Sequence, residues 1–246
     1  MPPAALGPDE AHVWCVGPAA AARRPALRAL GRRLLDPEEE ARLERIALVG
    51  ARHEFLLTRA LCRTVLSRYA DVRPEEWRFR KNAYGRPEVA GPRGCPRLRF
   101  SLSGARGLVA CAVTSGADAG LDVEHRAAAR GSMALAGRFF SALEAGVLQA
   151  AKPAARRERF LEYWTLKEAF LKAIGRGLSL PLDRLTFHLD EGPRIRVSLA
   201  PGLEEEPGRW QFALFRPTAR HVMALGIRRP GGTDLRISVR EAFPPR

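Results

Sequence analysis

Apolar residues recur along this chain with two periods, and the alternation between them lays out its elements. Residues 11–17, AHVWCVG, are a short apolar run and read as a first strand. From Asp36 the period lengthens. Leu56, Leu57, Ala60, Leu61, Val65 and Leu66 share one helical face, Asp36 can cap the start, Pro37 takes the first helical position, and acids fill the first turn. The spacing predicts one helix over 36–70. WRFRKNAYGRPEV then reads as a strand running into a Gly–Arg–Pro turn, followed by a Pro/Gly-rich loop through residue 96.

LRFSLSG and LVACAVT, separated by ARG, predict a hairpin, and AGLDVEH adds a further strand. ALAGRFFSALEAGVLQAA and RERFLEYWTLKEAFLKAIG predict two helices, the second closed by Gly175. LDRLTFHLD, RIRVSLA, WQFALFRP and HVMALGI are strand candidates, and the tail EAFPPR reads as loose. This order predicts an α+β fold in two comparable halves, 1–116 and 117–246.

Composition narrows the reading. The 246 residues can bury a full core, and no run approaches a membrane span. The first residues lack the pattern of a secretory signal, so a cytoplasmic protein is expected. The four cysteines form no CxxC pair, which argues against a zinc site or a disulfide framework. A net charge of +14 implies an anionic partner, but the arginines are spread along the chain instead of forming a block. With 7% aromatic residues and no nucleic-acid-binding motif, a basic nucleic-acid-binding protein is the weaker alternative.

Two stretches carry candidate chemistry. In GLDVEH, Asp122 and Glu124 stand two apart on a strand and so face one side, with Leu121 and Val123 facing the other. Crowded carboxylates repel unless a cation or a proton lies between them. In WTLKEAFLKAIG, Glu168 and Lys172 are four apart on one helix face, a spacing that also suits a simple surface ion pair.

Taken jointly, FSLSG, GLDVEH and WTLKEAFLK resemble the ordered signature of the 4′-phosphopantetheinyl transferases of the large surfactin-synthetase-activating type: F-N-[IL]-S-H-S-x-G, G-[IV]-D-[IV]-E and W-[ST]-x-K-E-[AS]-x-x-K. The last two match at every fixed position. LDPEEEARLERI, LTRALCRTVL, YGRPEV, RFFSALE and GRGLSLPLDRLTF are similar to further family segments, so the likeness runs from about residue 35 to 200.

The resemblance implies two pseudo-duplicated halves with the active site between them, in a monomer. The first half would supply contacts to the nucleotide of coenzyme A, the second the metal and catalytic residues. It implies transfer of phosphopantetheine from coenzyme A to a serine of an apo acyl or peptidyl carrier protein, with release of 3′,5′-adenosine diphosphate. Asp122, Glu124 and Glu168 would hold Mg²⁺ (or Mn²⁺), for which hard oxygen ligands are suited. Glu168, or Glu124 in competition with it, would accept the serine proton, and Lys172 would contact the α-phosphate. Lys167 would serve phosphate binding or helix packing. Arg86 and Pro87 match the family's Gly-Lys-Pro turn near the adenine, Arg59 is the candidate for the 3′-phosphate with Arg52 behind it, and Ser103 is retained from the first motif. His125 is expected in a local structural role.

One departure stands out. Gly104 takes the place of the family's phosphate-binding histidine and Ala105 that of the following serine. Charge-assisted bonds of that kind contribute about 1.5–3 kcal/mol, so weaker coenzyme A binding, or compensation from Arg106, is expected. A weakened or inactive coenzyme A-binding relative is the corresponding alternative function.

Overall fold

The computed structural model describes residues 5–17, 25–129, 132–176 and 180–243. Residues 177–179 of GRGLSLPLDRLTF and 244–246 of the expected loose tail lie outside these. The fold is α+β, in two compact units. The first comprises 1–82, 87–116 and 236–246, and the second 83–86 and 117–235. The chain passes from the first unit to the second after Gly116, where φ is +96°. Two segments depart from that division: 236–246 cluster with the first unit, and 83–86 with the second.

In the first unit β1 (Glu10–Val16) is central. It pairs in parallel with β11 (Arg236–Glu241) and antiparallel with β5 (Leu108–Thr114), which continues to β4 (Arg99–Ala105). The helix α3 (Val49–Leu66) covers this sheet with Leu57, Leu61, Val65 and Leu66, all buried with Trp14, Phe100 and Val113. Short strands β2 (Arg78–Lys81) and β3 (Pro87–Gly91) form a separate hairpin.

The helix expected over 36–70 is two. The helix α2 (Pro37–Glu44) starts at a capping box: Asp36 Oδ1 accepts from Glu39 N at 2.8 Å, and Glu39 Oε2 accepts from Asp36 N at 3.2 Å. The chain then breaks before α3. The break lets Leu43 pack on Phe55 and Leu56. In a continuous helix those twelve residues would hold them about 18 Å apart along the axis. A further helix, α1 (Pro25–Arg33), was not legible; its Gly31 lies so close to α3 that a Cβ would stand 2.5 Å from Leu56 O.

The last strand, β11, also contradicts the strand list read from sequence, which ends at residue 227. A buried network closes it on β1. Arg240 donates to His12 Nε2 at 3.2 Å, which makes Nδ1 the protonated nitrogen, 2.7 Å from the Tyr69 hydroxyl oxygen. Trp14 Nε1 donates to the same oxygen at 2.7 Å.

The second unit holds the antiparallel sheet β6 (Asp118–His125), β10 (His221–Arg228) and β9 (Trp210–Thr218), in the order β6-β10-β9. A small hairpin is formed by β7 (Leu185–His188) and β8 (Arg196–Leu199). The helix expected over 134–151 divides into α4 (Ser132–Phe139) and α5 (Ala142–Ala150), because Ser141 and Glu144 make a capping box in SALE. The long α6 (Pro153–Ile174) lies across the sheet, its Phe170 among Trp210, Phe212 and Phe187. It ends at Gly175, left-handed at φ +71°. Among the described residues no helix is long and apolar enough to cross a membrane.

Candidate active site

The glycine of GLDVE sets how closely helix and strand approach. A Cβ on Gly120 would stand 1.9 Å from Ala169 O and 2.4 Å from Ala173 N. Gly226, its antiparallel partner on β10, lies under Phe212 and Ala169. Bare backbone on both strands therefore lets α6 rest directly on the sheet. That contact brings the Glu168 and Lys172 edge of the helix beside Asp122.

Asp122 is 5% exposed, and Lys172 Nζ donates to its Oδ1 at 2.7 Å. The Glu168–Lys172 surface pair open from spacing is thus replaced by a pair to the strand. Burial, and then the neighbouring Asp122 carboxylate, push Glu124 up to about 7. A hydrogen bond from Trp164 and the Lys172 ammonium oppose that rise. Glu168 is raised by burial first and then by Asp122, with Lys172 again opposing. The three carboxylates therefore lie within electrostatic reach of one another.

In kind, charge and number these oxygens suit a hard divalent cation. Lys172 supplies the positive charge at Asp122 in this conformation, and among the described residues no group of three His, Cys, Asp or Glu side chains is arranged as a coordination shell.

Lys167 is corrected as a phosphate ligand. It is fully buried and paired with the fully buried Glu144 at 2.8 Å. Its other protons go to Leu182 O and Leu185 O, so its ammonium faces the core. Burial lowers its pKa, and Glu144 opposes. Arg86 donates to Ala173 O at 2.7 Å and to Asp118 Oδ1 at 3.1 Å, tying it to the end of α6 and the start of β6. Pro87 opens β3 opposite Lys81.

In the first unit, Arg59 Nε lies 2.9 Å from Glu39 Oε1, with its guanidinium 4.7 Å from the Phe55 ring centre. Glu39 also accepts from Arg63 at 2.7 Å. Arg52 donates to Ile46 O at 3.3 Å, and Ser103 is buried on β4 opposite Ala110. His125 Nδ1 accepts from Ala127 N at 3.1 Å, and its ring stacks edge-on with His221 at 5.0 Å. These are local packing contacts.

A family profile described as the 4′-phosphopantetheinyl transferase superfamily matches residues 118–226, the stretch that carries the carboxylates and α6. A 4′-phosphopantetheinyl transferase from Bacillus subtilis is 32% identical over 62% of this chain and 65% of its own length. The transferase Sfp of Bacillus subtilis (strain 168) is 31% identical over 67% of this chain and 71% of its own length. The transferase psf-1 of Bacillus pumilus is 34% identical over 80% of each chain. The chain belongs to the 4′-phosphopantetheinyl transferases. A crystal structure of Thermotoga maritima holo-[acyl-carrier-protein] synthase is also similar, 23% identical at a TM-score of 0.37, over 46% of this chain and 62% of that one.

Within this transferase, three residues matter that the sequence reading passed over. Trp164, one turn before Glu168 on α6, opposes the rise at Glu124. Glu144 is the buried partner of Lys167, and its signal was the S-x-x-E spacing of SALE. Gly120 was legible only as a motif letter, because nothing local shows that a helix will cross it. The transferase's departure at Gly104 is exposed on β4, where a Cβ would meet Val109 Cγ1 at 3.1 Å and Thr58 Oγ1 at 3.7 Å.

Proposed function

We propose that the protein transfers the 4′-phosphopantetheine arm of coenzyme A to a serine of an apo carrier protein, in a reaction that requires Mg²⁺ and releases 3′,5′-adenosine diphosphate. The observation that carries this reading is the crowding of Asp122, Glu124 and Glu168 around Lys172 in a family whose members are named for this transfer. A divalent ion held by these carboxylates would neutralise charge on the pyrophosphate.

The chain's own groups account for the remaining steps. The serine oxygen bonds to the β-phosphorus, the bond from that phosphorus to the bridging oxygen breaks, and the α-phosphate leaves with the nucleotide. Such a transfer depends on alignment and charge more than on covalent catalysis. Lys172, at the carboxylates, is suited to the leaving α-phosphate. The serine proton goes to Glu168, whose carboxyl is raised by burial, with Glu124 as the competing base; Glu124, raised to about 7, is poised to accept a proton near neutrality.

Arg59, Arg52, Arg86, Pro87 and Ser103 are proposed for the nucleotide end. For Arg59 this requires a phosphate to compete with Glu39, which also has Arg63. The four cysteines are free, which accords with a reducing, cytoplasmic setting.

The test is incubation with coenzyme A, Mg²⁺ and a panel of apo carriers, read by intact-mass spectrometry. Asp122→Ala should abolish transfer while the far-ultraviolet circular dichroism stays that of wild type. Wild-type turnover in Asp122→Ala, or turnover unaffected by chelator, would remove the metal assignment. Coenzyme A binding without transfer to any carrier would favour the inactive relative.

A further inference from the structure

We propose that the buried Lys167–Glu144 pair is a positioning device, fixing the rotation of α6 about its axis so that Glu168 and Lys172 meet Asp122. The inference rests on the transferase reading above. Lys167 has three protons and three acceptors: Glu144 Oε2 at 2.8 Å, Leu182 O at 2.7 Å and Leu185 O at 2.5 Å. No proton is left for a substrate.

Glu144 is equally engaged. It accepts from Ser141 N at 2.9 Å through Oε2, and from Phe187 N at 2.9 Å through Oε1. The Phe140 ring lies 5.4 Å from the ammonium. One fully buried pair thus joins α6 to the start of α5, to the turn at 182–184 and to β7.

The need for such a device follows from how α6 rests on its sheet. Ala169 and Ala173 sit on the bare backbone of Gly120 and Gly226. That seat sets the height of the helix. Apolar packing of Phe170 among Trp210, Phe212 and Phe187 limits its roll without directed bonds, and the Lys167–Glu144 pair adds them. Lys167 and Glu168 are neighbours, about 100° apart around the axis. A side-chain tip about 6 Å from the axis moves about 1 Å for a 10° roll, and misplacement of that size can cost about a hundredfold in rate. Well-packed apolar residues could replace a buried pair with little loss of stability. What they could not supply is three directed hydrogen bonds.

The test is the double variant Lys167→Met with Glu144→Gln, which removes both charges together and keeps chain length and the capping acceptor. Cooperative thermal unfolding verifies the fold. The expected result is a kcat about tenfold to a hundredfold below wild type, with KM for coenzyme A within about threefold. Its crystal structure should show the 2.7 Å Lys172–Asp122 contact opened. A folded variant with kcat within about twofold of wild type, or with α6 unmoved and that contact kept, overturns the proposal.

If the wild-type protein transfers to no carrier, the transferase reading fails, and the crystallographic comparison alone judges the positioning role. If the double variant does not fold, Glu144→Gln alone is read by the same two measurements.

Discussion

At the scale of single residues, the most informative position is one where a side chain is missing. Gly104 offers no donor where the family pattern has histidine. The position is exposed, and a Cβ there asks Val109 Cγ1, 3.1 Å away, to yield by a few tenths of an ångström. Gly104→His should therefore be tolerated and tighten coenzyme A binding about tenfold, the lower end of what a charge-assisted bond contributes; calorimetry with Mg²⁺ measures it. Unchanged affinity would mean that this strand position does not face a phosphate.

At this scale the spacing foretold which side chains share an environment, as Asp122, Glu124, Glu168 and Lys172 do. At Lys167 it left phosphate binding and helix packing open. A motif lysine reads the same whether its ammonium meets a phosphate or a buried glutamate, and the partner lies 23 positions earlier in the chain.

Elements show a different limit. Apolar runs bounded by turn residues located β1, β4 and β5 of the first sheet, all three strands of the β6-β10-β9 sheet, and the long helix α6. Periodicity fused α2 with α3, where the break is set by Leu43 packing on Phe55 and Leu56, and α4 with α5, where the local capping box of SALE interrupts an otherwise continuous helical spacing. The edge strand β11, RISVRE, is mostly polar, and its principal role is backbone pairing with β1.

The closeness of α6 to β6 makes the sharpest prediction here. Gly120→Ala puts a methyl 1.9 Å from Ala169 O, a backbone atom that cannot swing away. It should cost about 3 kcal/mol or more, lowering the melting temperature by about 6–12 °C. A melting temperature within about 2 °C of wild type would contradict the packing.

The β1–β11 network predicts a pH effect. Burial, then Arg240, hold the His12 pKa below its ordinary value, with Glu10 opposing. The folded state thus resists a proton that the unfolded state accepts. Stability is fully present above about pH 6.5 and is lost as pH falls below it. The melting temperature of His12→Gln should fall less steeply between about pH 6.5 and 5.

Over the whole molecule, a charge of +14 is the dominant long-range feature. Fields of this size steer partners and are screened within about 10 Å at 0.1 M salt. If the carrier is acidic near its modified serine, raising salt from about 0.05 to 0.5 M should weaken carrier binding more than coenzyme A binding. Equal slopes in parallel titrations would assign no docking role to the charge. A turn glycine after a completed hairpin is the local signal for a division at 116/117. The return of residues 236–246 to the first unit has no such signal, since sheet neighbours so far apart in sequence share no local pattern.

The pairing of β11 alongside β1 has a consequence for biosynthesis. As the chain leaves the ribosome, residues 117–235 are complete before the strand that finishes the first sheet exists. Until then β1 waits with one edge open, the kind of unpaired backbone that invites aggregation. The later-made body can therefore mature first, and the earlier one should be the part that a nascent-chain protease finds open longest.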